Sequence, residues 1–212
     1  MKRYTPKWFK SAIYWKSLAV IEDNLDILLT GHRLAKDVPN VKGSTGTQAT
    51  HYLILKYVFS EMYNLREDDT FIDIGCGMGR VLAFLHRRYP HNQLSGIDLN
   101  EVSAAVARKW TSKRKNVQII VGNALGIDYN SYTVLYMARP FPPATFYKFI
   151  DHLEEHLTNP IHLIYLFDQE SGGFLRNRNG WTLLQRETIF KINGFQVASS
   201  PQGCSLWEYV PQ

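Results

Sequence analysis

The stretch from Phe71 to Val81 constrains the fold of this chain more than any other part of the sequence. Residues Thr70 to Ile74 form a short apolar run that predicts a buried strand, and the apolar residues of Arg80 to Tyr89 recur at helical spacing. Glycine permits positive φ and close approach of a ligand, and the N-terminus of the following helix carries partial positive charge. We therefore predict a strand-to-helix turn that binds a small molecule through three glycines, Gly75, Gly77 and Gly79.

The spacing of the glycines and two nearby acids indicate which ligand this turn binds. A dinucleotide fingerprint needs G-x-G-x-x-G, whereas this turn reads G-x-G-x-G with Arg80 next, which disfavours a nicotinamide cofactor. Asp73 would repel a pyrophosphate but attract a ligand with an ammonium and a sulfonium group. Asp98 ends an apolar run roughly 20 residues further on, where an acid accepts ribose hydroxyls. These features favour S-adenosylmethionine.

Strand and helix patterns alternate through the middle of the chain. Alternation of this kind predicts βαβ units and a parallel sheet, and a turn at Asn193-Gly194 predicts a hairpin near the C-terminus. The C-terminal segments, β-rich and loop-connected, predict an antiparallel end to the sheet. The predicted elements are a helix over 47–65, strands over 70–74, 93–99, 117–121, 133–137 and 161–167, helices from 80, from 101 and over 143–157, and β-rich segments over 182–190 and 205–210.

At three places the sequence resembles the class I S-adenosylmethionine-dependent methyltransferases: at Asp73 to Arg80, at Gly96-Ile97-Asp98 and at Gly122-Asn123-Ala124. The resemblance covers roughly residues 47–167. It implies an α/β, Rossmann-like, doubly wound and mostly parallel seven-stranded sheet with helices on both faces and antiparallel C-terminal strands. It also implies that the cofactor is bound by Asp73, Gly75, Cys76, Gly77, Gly79, Asp98, Leu99, Asn123 and Ala124. At Asn123 the family usually carries an acid, and an amide can both donate to and accept from adenine.

The loop after the fourth predicted strand supplies the candidates on the substrate side, which are Arg139, Pro140 and Phe141. Its position matches an Asn-Pro-Phe type of loop that related enzymes place against the reacting methyl group. Arginine has no acceptor with which to hold an amine, but its planar fork can clamp a carboxylate or a phosphate. The alternative is that Arg139 pairs with an acid of the protein or points to solvent.

The N-terminal part is expected to be a helical extension over residues 1–46 that covers the cofactor site, followed by the methyltransferase domain over residues 47–212. The Pro- and Gly-containing break from Pro39 to Gly46 is the expected boundary. Aromatic residues among lysines leave a membrane-surface or RNA-contacting role open for the extension. By resemblance, Thr47 to Thr50 lie near the methionine end of the cofactor.

The composition of the chain limits the classes of protein to which it could belong. The 212 residues include no apolar run long enough to span a membrane, and only two cysteines, Cys76 and Cys204, which indicates a reducing compartment, by default the cytoplasm. The net charge of +5 permits an anionic partner. A basic cluster over residues 108–115 is accounted for by a helix C-terminus, with nucleic-acid binding as the alternative. His152 to His156 read H-x-x-E-H, but on an outer helix without a third ligand, so we expect no metal.

These observations predict a methyltransferase that transfers a methyl group to an unidentified acceptor. A small molecule or a protein is favoured over RNA, since no appended RNA-binding module is visible. The alternative is a structural or regulatory subunit that binds S-adenosylmethionine without catalysis.

Overall fold

The computed structural model describes residues 7–36, 38, 49–168 and 173–212. Seven strands form one sheet in the order β3-β2-β1-β4-β5-β9-β6, and two short strands, β7 and β8, form a hairpin. The strands are β1 (Thr70–Ile74), β2 (Gln93–Asp98), β3 (Val117–Val121), β4 (Val134–Ala138), β5 (Ile161–Leu166), β6 (Trp181–Ile189), β7 (Lys191–Ile192), β8 (Phe195–Gln196) and β9 (Gln202–Tyr209). The helices are α1 (Lys7–Thr30), α2 (Tyr52–Tyr57), α3 (Arg80–Arg88), α4 (Glu101–Thr111) and α5 (Pro143–His156).

The sheet is parallel except at β9, which pairs antiparallel with both β5 and β6. The predicted fold class is confirmed, with the refinement that the antiparallel strand lies between two others while β6 forms the edge. The strand order reverses between β1 and β4, which pair in parallel through Phe71 and Val134. In open α/β sheets a ligand binds beyond the carboxyl ends of the strands at such a switch point.

Helices cover both faces of the sheet. The chain steps from β1 to β2 to β3 in one direction and from β4 to β5 in the other, so right-handed crossovers put α3 and α4 on one face and α5 on the opposite face. Two separate apolar clusters follow. Leu82 of α3 and Ala104 of α4 belong to the first cluster, and Phe146 and Phe149 of α5 belong to the second.

Local features agree with the sequence patterns except before β1. Asn193 and Gly194 adopt φ of 50° and 81° between β7 and β8, which confirms the hairpin. The predicted helix over 47–65 is shorter, because α2 begins at Tyr52 and continues as a π-helical turn over Val58–Met62. The expected domain boundary at residues 39–46 lies outside the described residues, as do Thr47 and Gln48.

Helix α1 confirms the predicted helical extension, but it buries two acidic residues and exposes apolar ones. The acids Glu22 and Asp26 are buried, whereas Ile13, Val20 and Leu28 are 51%, 60% and 79% exposed. No helix in the described part of the chain is long and apolar enough to cross a membrane. A contact between distant parts of the sequence explains this pattern, because the two acids face a buried cation of the domain.

That cation is Arg80, the residue directly after the glycine turn. Its Nε and Nη2 atoms donate to the two oxygens of Asp26 at 2.9 and 2.7 Å, and its Nη1 donates to Glu22 Oε2 at 2.9 Å. Tyr52 OH and the Leu34 backbone N–H also donate to Asp26. Buried charges are tolerated only when paired and hydrogen-bonded in this way. The cluster therefore fixes α1 to the start of α3.

We expect Arg80→Met to lower the free energy of unfolding by about 3–5 kcal/mol, because it leaves two carboxylates buried without their cation. Urea unfolding followed by circular dichroism measures the change. Arg87→Met, an exposed position on the same helix, is the matched control and should have little effect. Adding Glu22→Gln and Asp26→Asn to Arg80→Met should restore part of the loss; no restoration would mean that burial of these charges is not the cause.

Candidate active site

The glycine turn closes over the end of β2. The backbone N–H groups of Gly75 and Cys76 both donate to the carbonyl of Ile97, at 2.8 and 3.0 Å. Gly75, Gly77 and Gly79 adopt φ of 78°, 54° and 87°, in the left-handed region. The turn thereby leaves β1 sharply and enters α3 at Gly79, its N-cap.

Two neighbours lie close to the outer glycines and leave little room for a side chain there. A Cβ on Gly75 would lie 2.5 Å from Pro140 Cβ, and a Cβ on Gly79 would lie 3.0 Å from the Trp110 ring. Trp110 Nε1 also donates to the Met78 carbonyl at 3.0 Å, which holds the indole beneath the turn. The turn is thus enclosed between α4 and the loop after β4.

Asp73, next to the turn on β1, is a buried acid with unused bonding capacity. Its side chain is 2% exposed, and its Oδ2 atom has no hydrogen-bond partner in the structure. Burial, with a smaller effect of Asp98, raises the pKa of this carboxyl well above its ordinary value. An unpaired buried acceptor costs free energy and is therefore a sign of a ligand site. An ammonium group would supply the missing donor, so the residue fits the amino-acid end of S-adenosylmethionine.

Asp98 at the end of β2 links the turn to the next helix. Its Oδ2 accepts from Gly77 N at 2.6 Å and its Oδ1 accepts from Asn100 N at 2.7 Å. Burial raises its pKa, and these two bonds oppose that effect. Carboxylate oxygens accept more than one hydrogen bond each, so the group retains capacity for a diol. Leu99, which follows, is 44% exposed and offers an apolar surface at the same edge.

The other predicted cofactor residues take different positions. Cys76 is buried against Gly96, and burial raises the pKa of its thiol, which makes it a filler of the turn rather than a nucleophile. Ala124 is buried in the second core cluster. Asn123 is exposed after β3, and its Oδ1 accepts from Leu125 N at 3.0 Å, so its oxygen is engaged in capping a short 3₁₀ turn.

The three candidates for the substrate side have different surroundings in the structure. Arg139 adopts a left-handed φ of 47° and lines a cleft beside the sheet. Pro140 packs on Gly75 of the cofactor turn. Phe141 turns towards α5, where its ring lies 5.4 Å from that of Phe149. Only Arg139 of the three lines the cleft.

The cleft has a volume of about 410 Å³ and draws residues from separate parts of the chain. Trp15 of α1 and His51 before α2 stack with their ring centroids 5.8 Å apart. Phe167, after β5, forms another part of the wall. The sequence contains no local signal for these three, because they are brought together only by packing. The lining residues are Trp15, Ala49, Thr50, His51, Arg139, Phe167, Val197, Ala198, Ser199 and Gln202.

The H-x-x-E-H motif and the basic cluster over 108–115 both lie away from the cleft. His152 Nε2 contacts the Ile127 carbonyl at 3.2 Å, and His156 Nδ1 contacts the His152 carbonyl at 2.9 Å. Across the described residues, no group of three or more His, Cys, Asp or Glu side chains is arranged to hold a metal. The basic cluster over 108–115 ends α4 and leads into the start of β3, so it lies at the opposite edge of the sheet from the cleft.

Comparison with known proteins agrees with this geometry. Residues 71–159 match a family model described as a methyltransferase domain. A curated relative, ribosomal RNA small subunit methyltransferase A of Hydrogenobaculum sp. (strain Y04AAS1), is 24% identical over 139 residues, which are 63% of this chain and 52% of the relative. The chain therefore spans about half the length of that relative.

Solved structures share the fold. An RNA methyltransferase from Salinibacter ruber in complex with S-adenosyl-L-homocysteine aligns with a TM-score of 0.54 and 18% identity over 82% of this chain and 95% of its own. A SAM-dependent O-methyltransferase from Thermotoga maritima aligns with a TM-score of 0.57 and 18% identity over 78% and 68%. The matched domain over residues 71–159, the strand order and the glycine turn agree with the predicted resemblance and support a class I S-adenosylmethionine-dependent methyltransferase, with S-adenosylmethionine as its cofactor.

Proposed function

We propose that the protein transfers the methyl group of S-adenosylmethionine to a small molecule bound in the cleft next to the glycine turn. The observation that carries this proposal is the unpaired Oδ2 of Asp73, buried beside the turn where a cationic ligand would satisfy it. The cleft starts one residue from Pro140, which packs on Gly75. Donor and acceptor sites would therefore adjoin.

Each predicted residue has a role in this proposal. Asp73 and the backbone of the turn from Gly75 to Gly79 hold the amino-acid end of the cofactor, and Asp98 accepts from the ribose hydroxyls. Leu99 packs on the adenine, and the segment Asn123-Ala124 contacts its edge. The loop that contains Arg139 borders the acceptor.

Methyl transfer depends above all on how the donor and the acceptor are oriented. S-adenosylmethionine supplies the methyl group when bound: a lone pair of the acceptor forms the new bond to the methyl carbon, and the carbon–sulfur bond breaks with its electron pair left on sulfur. A proton on the acceptor heteroatom leaves to a base or to water. The protein accelerates such a displacement mainly by holding the two reactants in line.

A small acceptor is favoured over RNA by the distribution of charge. The relatives carry names of both kinds, an RNA methyltransferase and an O-methyltransferase. The basic cluster over 108–115 lies between α4 and the start of β3, away from the cleft, so it adds no positive charge beside the acceptor. Nonspecific RNA binding depends on such cations. Retention of RNA that is lost steeply with salt would contradict this choice.

We also propose that residues 1–46 act as a cover that belongs functionally to the domain over residues 47–212. The support is the burial of Glu22 and Asp26 against Arg80. Two free, buried cysteines, Cys76 and Cys204, favour a reducing compartment such as the cytoplasm.

Calorimetric titration with S-adenosylmethionine should give saturable binding near one per chain, and none with NADH. Asp98→Ala should weaken that binding by about 1–3 kcal/mol, the cost of leaving polar ligand groups unpaired. Asp68→Ala, at a side chain that is 86% exposed, is the matched control and should bind normally. Equal affinity for Asp98→Ala and the wild type would remove Asp98 from the site. Binding without transfer to any acceptor fraction would favour the non-catalytic alternative.

Asp73→Asn should raise the free energy of unfolding by about 1–3 kcal/mol while weakening S-adenosylmethionine binding, because it removes an unpaired buried carboxylate that the ligand needs. Because the native pKa of Asp73 is raised, ionisation favours the unfolded chain as the pH rises above about 3.9. The gain in stability should therefore be larger at pH 8 than at pH 4. Urea unfolding at both values measures it.

Asp69→Asn is the matched control for this prediction. Asp69 is equally buried, at 2% exposure, but accepts hydrogen bonds from Tyr63 OH, Arg66 N and Thr133 Oγ1. Its replacement should lower stability and leave cofactor affinity unchanged. A destabilised Asp73→Asn would show that this carboxylate has a structural partner instead.

A further inference from the structure

We infer that His51, oriented by Glu22, is the base that removes the acceptor's proton, and that the acceptor is a small planar aromatic hydroxy compound carrying a carboxylate or phosphate. This inference rests on the proposed methyl transfer and assigns its acceptor class. Four features of the cleft support it: the hydrogen bonding of His51, the charge of the cluster behind His51, the aromatic walls and the guanidinium of Arg139.

The first feature is the hydrogen bonding of His51. Its Nδ1 lies 2.8 Å from Glu22 Oε2, and the side chain of Glu22 is 5% exposed. Because a carboxylate only accepts hydrogen bonds, Nδ1 carries the hydrogen and Nε2 keeps the lone pair. Histidines that accept protons in catalysis often have one ring nitrogen held by an acid, which leaves the other nitrogen to act as the base. His51 lines the cleft, with a side chain that is 24% exposed.

The second feature is the charge of the buried cluster to which His51 belongs. Its described members are the carboxylates of Glu22 and Asp26 and the guanidinium of Arg80, which together carry one net negative charge when His51 is neutral. Glu22 thus places a carboxylate behind the imidazole of His51, as in sites where an acid orients a histidine that accepts a proton.

The third feature is the aromatic lining and the strain of the backbone that presents it. The Trp15 and His51 rings stack at an interplanar angle of 30°, and Phe167 lines the same cleft. In the described chain the non-glycine residues with positive φ are Arg139, Phe167 and Asn193, and the first two line this cleft. Strained residues concentrate at functional sites. Flat rings and a volume of about 410 Å³ suit a planar ligand of modest size.

The fourth feature is the polar character of the lining. Among the described residues that line the cleft, Arg139 carries a permanent positive charge, and its guanidinium has five N–H donors. Guanidinium pairs with carboxylate or phosphate in a planar fork and cannot hold an amine. A neutral aromatic amine attacks with its own lone pair and releases its proton afterwards, whereas a hydroxyl group must lose its proton during attack. The cleft therefore fits O-methylation of an acidic aromatic hydroxy compound.

The reaction balances without a further reactant. The hydroxyl oxygen forms the bond to the methyl carbon, its proton passes to His51 Nε2, and the electron pair of the broken carbon–sulfur bond stays on sulfur. The protonated imidazole returns its proton to water after release of the product.

The test begins with the calorimetric titration of S-adenosylmethionine, so that failure of the proposed function is recognised as loss of cofactor binding. Protein that binds the cofactor is then incubated with methyl-labelled S-adenosylmethionine and a set of hydroxybenzoates and hydroxyphenyl phosphates. Aminobenzoates, short RNA oligonucleotides and mononucleotides form the comparison arms. We expect labelled methyl ethers from the hydroxy acids only. Transfer to none of them, or preferential transfer to amines or RNA, would overturn the inference.

His51→Gln tests the base, because its amide can still donate to Glu22 but has no basic nitrogen. We expect kcat to fall by about 10²–10⁴-fold with little change in KM or cofactor affinity. The loss should be much smaller for nitro-substituted hydroxybenzoates, which ionise without a base, whereas a structural role would affect all substrates equally. His91→Gln, at an exposed histidine before β2, is the matched control. An equal loss for both substrate types would exclude His51 as the base.

Arg139→Met tests the recognition of the acid group. It should raise KM for hydroxybenzoates by at least about tenfold, as expected for loss of a charge-assisted pair, and leave KM for the uncharged hydroxybenzamides unchanged. Similar changes for both would show that Arg139 shapes the cleft without binding the acid.

Discussion

The pairing of Arg80 with Glu22 and Asp26 is the interaction on which the arrangement of this site depends. Arg80 is 4% exposed and directly follows the last glycine of the cofactor turn, while the two acids belong to the N-terminal helix. Removal of either side would leave charge buried without a partner, which is costly in a poorly solvated interior. The helix therefore cannot leave the domain without disturbing the start of α3.

The same cluster connects the two halves of the site. Glu22 Oε2 accepts from Arg80 behind the glycine turn and from His51, which lines the cleft. Next to His51, Thr50 contacts the hydroxyl of Tyr136 at 3.3 Å, and Tyr136 pairs in register with Asp73. The glycine turn and the cleft are thus connected through the neighbouring strands β1 and β4 and through one shared carboxylate. A small displacement of the glycine turn should therefore change the position of the cleft residues, and the reverse should also hold.

Much of the domain could be predicted because its signals are local. The run Thr70–Ile74, the glycines after it and the apolar spacing of α3 predict a strand, a turn and a helix from adjacent residues, and each is present as expected. The acid at the end of β2 and the Asn193-Gly194 hairpin have equally local reasons. Parallel βαβ pairing then follows from the order of the elements.

The cleft and the polarity of α1 could not be predicted in the same way. Glu22 and Asp26 look like solvent-facing acids of an amphipathic helix, but their burial is explained by Arg80, which follows them by 58 and 54 residues in the sequence. Trp15 and His51 meet only through the position of that helix, and Phe167 reaches the cleft through a backbone conformation that its residue type does not favour. Each depends on contacts between distant segments, for which periodicity contains no information.

The burial of these two acids has a consequence for how this lineage of enzymes varies. Positions 22, 26 and 80 form one electrostatic unit, so substitutions at them should be inherited together: a homologue with an uncharged residue after its third glycine should also lack acids at the two helix positions. A homologue without the helix should place a residue there that needs no buried anion. The N-terminal helix and the glycine turn would then evolve together, even though an ordinary domain boundary would separate them.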